Sequence, residues 1–382
     1  MSGSVTWGSR SRLGSAPILL LILLLPACSA SLRTAAKPGG DGAPPSSAPR
    51  ASPSLPPSSP PNQLPLLPLL PGKGPAVVQA VDPGPLAPVS FATATVICPA
   101  GRVLLGGGIR ASLKGGGTPS PSLHFVGAFP SVPRTGEASP GGASGISWTA
   151  IGATGAQPVP DATTAAFGIC DRGAPAPQSG TAPQVVTRST AGPVAAASSA
   201  RATAVCPDGT SLVGGGAGAG LRKGWPPPPS LHVTGSFPSD PGGNPVTASG
   251  ALPNAWTAVA STGGAALTGA ATTAYALCGT HPATRQMVVK SAIGPSGAAT
   301  SFSVTARCPD GSVLLFGGAS TGLTQGGNKP PQGLHMTGTF PSDAAGHPVD
   351  GAAATAWTAV AEAGGLMTLG TRTTAFAVCS SG

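Results

Sequence analysis

The sequence predicts an all-β protein: three tandem antiparallel β-sandwich or small-barrel units, each closed by one disulfide. Three observations carry that expectation. One pattern recurs three times between residue 77 and the C-terminus of the 382-residue chain. Six of the seven cysteines bracket the copies in pairs (Cys98 with Cys170, Cys206 with Cys278, Cys308 with Cys379), at separations of 72, 72 and 71 residues. The chain also holds 58 glycines and 46 prolines but only 4% aromatic and 8% charged residues. Such a composition disfavours long helices and suits short strands joined by turns.

The first 28 residues have the parts of an export signal. Arg10 and Arg12 supply the positive region, residues 16–25 (APILLLILLL) the apolar region, and residues 26–30 a small-residue cleavage zone. The apolar run is too short to cross a ~30 Å hydrocarbon core as a helix. Leu25-Pro26-Ala27-Cys28 resembles the lipobox of bacterial lipoproteins, with Pro26 a departure from the small or aliphatic residue usual there. The resemblance implies lipidation of Cys28, a membrane anchor and an extracytoplasmic location. Cleavage after Ala30 would instead discard Cys28 and release a secreted chain. Residues 29–76 are dominated by Pro, Ser, Ala and Gly. They cannot bury enough apolar surface to fold, so they read as a disordered, extended tether.

The repeats span 77–172, 185–279 and 288–380. Each opens on a β-prone piece: Val77-Val78, Val185-Val186, Val288-Val289. Next comes a Cys-Pro-x-Gly turn, in which Gly tolerates positive φ. The runs 106–108 and 214–216 of three glycines then suggest bulged or bent strands. In 231–237, Leu231, Val233, Gly235 and Phe237 alternate with His232, Thr234 and Ser236, which is strand periodicity. Residues 334–340 repeat the alternation, while the first copy places Val126 on the histidine face. A tryptophan follows at equivalent points, Trp148, Trp256 and Trp357, and reads as core. Five or six strands per copy result. Six cysteines allow fifteen pairings in principle, and the repeat selects closure of each copy on itself.

The net charge is +9, but from residue 77 onward there are 14 basic and 10 acidic residues, scattered and without interleaved aromatics. Nucleic-acid binding would need a basic stripe with stacking rings, so no nucleic-acid partner is expected. A repeated active site should repeat its ionisable groups. Asp208 and Asp310 face Ala100 in the first copy, and Asp240 and Asp343 face Val132. Only His124, His232 and His335 recur in all three. They lie opposite the large apolar side chains and so read as accessible candidate binding residues, with Trp225, beside Arg222 and Lys223 and followed by four prolines, as another. Three equivalent imidazoles could meet at a metal only if the units packed about a three-fold axis. A histidine hydrogen-bonded across its own sheet is the simpler reading, and no cofactor, metal or catalytic residue is expected.

The pattern Cys-Pro-x-Gly, then Leu-Gly-Gly-Gly, a Trp strand and Thr-Ala-(Tyr/Phe)-x-x-Cys resembles repeats of uncharacterised secreted bacterial proteins. That resemblance implies export and a β fold, with no substrate. The sequence therefore predicts a non-enzymatic cell-envelope protein that binds or adheres, with a cell-wall glycan or surface protein as partner. Its alternatives are a structural spacer and an exported enzyme with an unrecognised site.

Overall fold

The computed structural model describes residues 75–380 apart from 118–119, 133–135, 138–146, 172–182, 222–227, 248–251, 280–284, 325–332 and 366–368. The signal segment, Cys28, the Pro-rich stretch to residue 74 and Trp225 lie outside the described residues. Within them the protein is all-β, with no helix. Repeat 1 forms β1 (Ala76–Pro83), β2 (Phe91–Ile97), β3 (Leu104–Leu113), β4 (Leu123–Val132), the short β5 (Gly136–Glu137), β6 (Ser147–Thr154) and β7 (Ala162–Cys170). Repeat 2 forms β8 (Gln184–Ala191), β9 (Ser199–Val205), β10 (Ser211–Leu221), β11 (Leu231–Ser239), β12 (Ala255–Thr262) and β13 (Ala270–Gly279). Repeat 3 forms β14 (Arg285–Ile293), β15 (Ser301–Arg307), β16 (Leu314–Leu323), β17 (Leu334–Ser342), β18 (Ala356–Ala363) and β19 (Thr371–Ser380). Each copy thus has six principal strands, and the third begins three residues before position 288. The Cys-Pro-x-Gly turns close as expected: Arg102, Thr210 and Ser312 donate their backbone N–H to Pro99, Pro207 and Pro309. Gly101, Gly209 and Gly311 sit at φ of 77°, 80° and 81°.

Each repeat is a sandwich of two three-stranded halves, and each half continues into a neighbouring repeat. Sheet I runs β1-β7-β3-β17-β18-β15, sheet II β2-β6-β4-β10-β13-β8 and sheet III β14-β19-β16-β11-β12-β9. All pairings are antiparallel, and β5 adds to β4 at the side of sheet II. Strands one, three and six of a repeat therefore share a sheet with strands two, four and five of another. The pattern closes cyclically, since β3 of repeat 1 pairs with β17 of repeat 3. The result is a ring about a pseudo-three-fold axis, lined by the third and fourth strands of every repeat.

The disulfides follow the expected pairing, with Cα atoms 5.7, 5.5 and 5.7 Å apart. Each lies within one repeat but joins two sheets. Cys98 follows β2 of sheet II and bonds Cys170 in sheet I; Cys206 follows β9 of sheet III and bonds Cys278 in sheet II; Cys308 follows β15 of sheet I and bonds Cys379 in sheet III. All three sheet junctions are stapled.

The glycine run of strand three explains how the layers approach. It carries the predicted bulge, at Leu104/Gly106, Leu212/Gly214 and Leu314/Phe316. Beyond the bulge, two glycines have different neighbours. A Cβ on Gly107, Gly215 or Gly317 would lie 2.4, 2.3 or 2.4 Å from the ring of Trp148, Trp256 or Trp357. A Cβ on Gly108, Gly216 or Gly318 would meet the backbone oxygen of Thr339, Ala128 or Ser236 at 2.4, 2.2 or 2.4 Å. The first glycine makes room for the core indole, and the second lets in the fourth strand of the preceding repeat, which for repeat 1 is that of repeat 3.

Each indole, only 1% exposed, also satisfies its N–H. Trp256 donates to the Ser236 hydroxyl at 3.1 Å and Trp357 to the Thr339 hydroxyl at 2.8 Å. Ala128 stands at that position in repeat 1, and Trp148 donates to the Gly108 carbonyl instead, at 3.1 Å. Across each seam a ring of the Phe-Pro-Ser motif stacks on a ring of another repeat's last strand. Phe129 stacks on Tyr275 at 5.2 Å between centroids, Phe237 on Phe376 at 5.6 Å and Phe340 on Phe167 at 5.6 Å. Such pairs add ~0.5–1.5 kcal/mol beyond the area they bury.

Two outcomes follow for chemical denaturation. Gly318→Ala should destabilise the body by at least ~1–3 kcal/mol, because its Cβ collides with backbone rather than with a movable side chain. Gly322→Ala in the same strand, with nothing within 4 Å, should change stability little; equal effects would contradict the seam assignment. Replacing Cys206 and Cys278 together by alanine should cost ~2–5 kcal/mol, and peptide mapping without reductant should recover no cystine joining two repeats.

Candidate functional site

The recurrent histidines are the second residues of β4, β11 and β17, the strands that line the axis. Contrary to the accessible placement that their alternation suggests, they are buried, at 5%, 6% and 5% exposure for His124, His232 and His335. The face opposite the apolar one is turned inward, toward the other two repeats. Each ring lies 6.0 Å from each of the others between centroids, with interplanar angles of 72°, 69° and 70°. Residues more than 100 positions apart are thereby brought into one equilateral cluster, and the three-fold condition stated above is met.

Local backbone orients each ring in the same way. Nδ1 of His124, His232 and His335 lies 3.2, 3.2 and 2.8 Å from the carbonyl oxygen two residues earlier, on Ser122, Ser230 and Gly333. A carbonyl only accepts, so Nδ1 carries the proton and Nε2 carries the lone pair. Burial pushes the His124 imidazole down to about 3, with the neighbouring His335 adding to the effect. Burial, then His124 and His335, hold His232 well below its ordinary value. The carbonyls of Leu231 and Leu334 offset part of this at His124 and His232.

The surroundings of the cluster are not three-fold. In register opposite His124, His232 and His335 stand Ala153, Ser261 and Glu362. Two residues along the histidine strands stand Val126, Thr234 and Thr337. In repeat 2 the two hydroxyls satisfy each other, Thr234 with Ser261 at 2.8 Å. In repeat 3 the corresponding position holds a carboxylate. Glu362 is 2% exposed, its Oε2 lies 3.7 Å from Nε2 of His335, and burial raises its pKa against the pull of His335 and Thr337. In sequence Glu362 reads as a lone acid; only the β17–β18 register shows its partner.

Toward the opposite end of the axis the equivalent residues Leu105, Val213 and Leu315 meet Phe316 and Arg285 around a void too small for water. Arg285 Nη1 donates to the Leu212 carbonyl. The recurrent acids Asp240 and Asp343 sit on exposed loops instead. Asp240 accepts from the Asn244 N–H at 2.8 Å, and Asp343 accepts from the His347 N–H at 2.9 Å. These are local loop closures that hold both carboxyls below their usual range. Among the described residues, no group of three or more His, Cys, Asp or Glu side chains is already gathered as a metal centre. No protein-family model and no curated protein matches the chain.

The buried imidazoles make stability depend on pH. His124 and His232 bind protons less readily folded than unfolded, so their contribution is complete above about pH 6.5 and is lost as pH falls, at His124 down to about 3. The slope is on the order of 1 kcal/mol per pH unit for each ring. Glu362 acts in the opposite sense, costing stability as pH rises beyond its ordinary 4.5. Urea denaturation in EDTA should show a clear loss between pH 7 and pH 4.5, flattened in the His124→Gln/His232→Gln protein. An equal slope in both proteins would show that other groups control the loss.

Proposed function

We propose that this is an extracytoplasmic, non-enzymatic binding or adhesion protein, held at the membrane by a lipid on Cys28 and displayed on the tether of residues 29–76. The supporting observation is that a disulfide staples each of the three sheet junctions. Such bonds persist outside the reducing cytoplasm, and three of them are compatible with an extracytoplasmic location. The export-type N-terminus and the lipobox-like residues 25–28 agree with that reading.

Ring closure refines the binding mode. The repeats are not separate beads on a string, so avidity does not come from independent modules finding separate sites. Equivalent surfaces are held at fixed spacing on one body. That suits a ligand with its own repeat, such as a cell-wall glycan, or a surface protein.

Expression of the full chain in a bacterial host tests the anchor. The mature protein should fractionate with membranes and carry a diacylated Cys28 by mass spectrometry, and Cys28→Ala should shift it to the soluble fraction. An unmodified N-terminus at Ser31 would rule the anchor out. Sedimentation of the full chain with purified cell-wall polymers tests the binding role. Retention on none of them, nor on surface proteins of the same cells, would favour a structural spacer.

A further inference from the structure

Four buried polar atoms that lack a hydrogen-bond partner belong to one neighbourhood: Nε2 of His124, Nε2 of His335, Oε1 of Glu362 and Oγ1 of Thr337. An unmade bond at a buried polar atom is destabilising, more so at a charged one, and calls for an occupant. The atoms around this point are of one kind. They comprise imidazole lone pairs, a carboxylate, a hydroxyl and the carbonyls of Leu231 and Leu334 near the rings. Among the described residues no Lys or Arg pairs with Glu362, whose Oε2 lies 3.7 Å from Nε2 of His335. A buried carboxyl beside imidazole nitrogens, without a Lys or Arg to answer it, is complementary to a cation.

The geometry points to a transition-metal site on the axis, with His124, His232 and His335 as ligands through Nε2 and Glu362 as the fourth. Three tests of fit agree. The tautomer is right, because each Nδ1 faces a backbone carbonyl, and Nε2 of His124 and of His335 has no hydrogen-bond partner. The size is right, because the centre of a triangle with 6.0 Å sides lies ~3.5 Å from each centroid. A ring bound at a metal–nitrogen distance of ~2.0–2.1 Å has its centroid roughly 3.2 Å from the ion. The donor atoms are not gathered as they stand; binding would draw the rings in by roughly 0.3 Å. The chemistry is right, because three imidazoles and a carboxylate suit zinc, cobalt or nickel, whereas calcium and magnesium take oxygen ligands. Ala153 and Ser261 replace the carboxylate in the other repeats, so the set has four ligands and binds one ion. That ion would tie all three repeats together at the histidine end of the axis.

The test uses the full chain, stripped with EDTA and titrated with Co²⁺ and then Zn²⁺. The expected result is one equivalent of Co²⁺ per chain with the visible bands of a four-coordinate ion, displaced by Zn²⁺, and a raised Tm. His232→Gln should abolish the bands, and Glu362→Gln should weaken binding at least ~10-fold. His347→Ala, on an exposed loop, should bind as the parent does. If His232→Gln fails to fold, Glu362→Gln retains all three rings and decides alone. The proposal is overturned if the parent binds no Co²⁺ at micromolar protein, or if Glu362→Gln binds it as tightly and with the same spectrum as the parent.

Discussion

How closely strand three approaches two neighbours at once governs the architecture. On one side its backbone lies against the indole of its own repeat; on the other it lies against the fourth strand of another repeat. A single methyl on either glycine would fill the gap, as the 2.2–2.4 Å approaches at Gly108, Gly215 and Gly216 show. Neither partner can retreat, because the indole is locked by its N–H bond and the fourth strand by its stacked aromatic. The glycines therefore contribute by absence: they permit contacts that larger residues make elsewhere.

That approach lets a short seam hold a large ring. Each seam has only two residue pairs in ladder register, such as Ala217 with Ala128 and Gly218 with Gly127. The remaining cohesion comes from aromatic stacks, from indoles lodged between layers, and from the disulfides that cross the sheet junctions. The axis itself is packed at one end by Leu105, Val213 and Leu315 and is polar at the other. Aliphatic side chains can fill a three-fold void without directional demands, whereas imidazoles must each find partners. Four of the buried polar atoms without a partner lie at the histidine end.

Much of the fold is legible in sequence because it is local or repeated. Equal cysteine spacings identify the disulfides, and period-two alternation around His232 identifies a strand. The sharing of sheets is not legible in this way, since alternation says which side chains share a face but not which segment covers it. In sequence the histidine face reads as open for that reason: His232, Thr234 and Ser236 are polar, and polarity ordinarily marks the solvent side. A signal was nevertheless present. The histidine side of the fourth strand carries no Lys, Arg, Asp or Glu in any copy, while the first and second strands carry Asp82, Arg188, Lys290, Arg201 and Arg307. Strand faces in water usually take charge; a polar but uncharged face is a face against protein. Glu362 was unreadable for another reason: its contact with His335 depends on register across a connection too long for turn type to fix.

Closure of the ring sets an order on biogenesis. β1 meets the connection between β17 and β18, with Gln79 N–H donating to Asp350 Oδ1 across 271 residues and Val77 bonded to Gly351 and Ala352. Sheet I holds strands of the first repeat and the last, so it remains half-built until β15, β17 and β18 are made. The first repeat cannot finish folding as it emerges, and no subset of repeats completes every sheet it enters. A body of this kind matures as a unit after the whole chain is available.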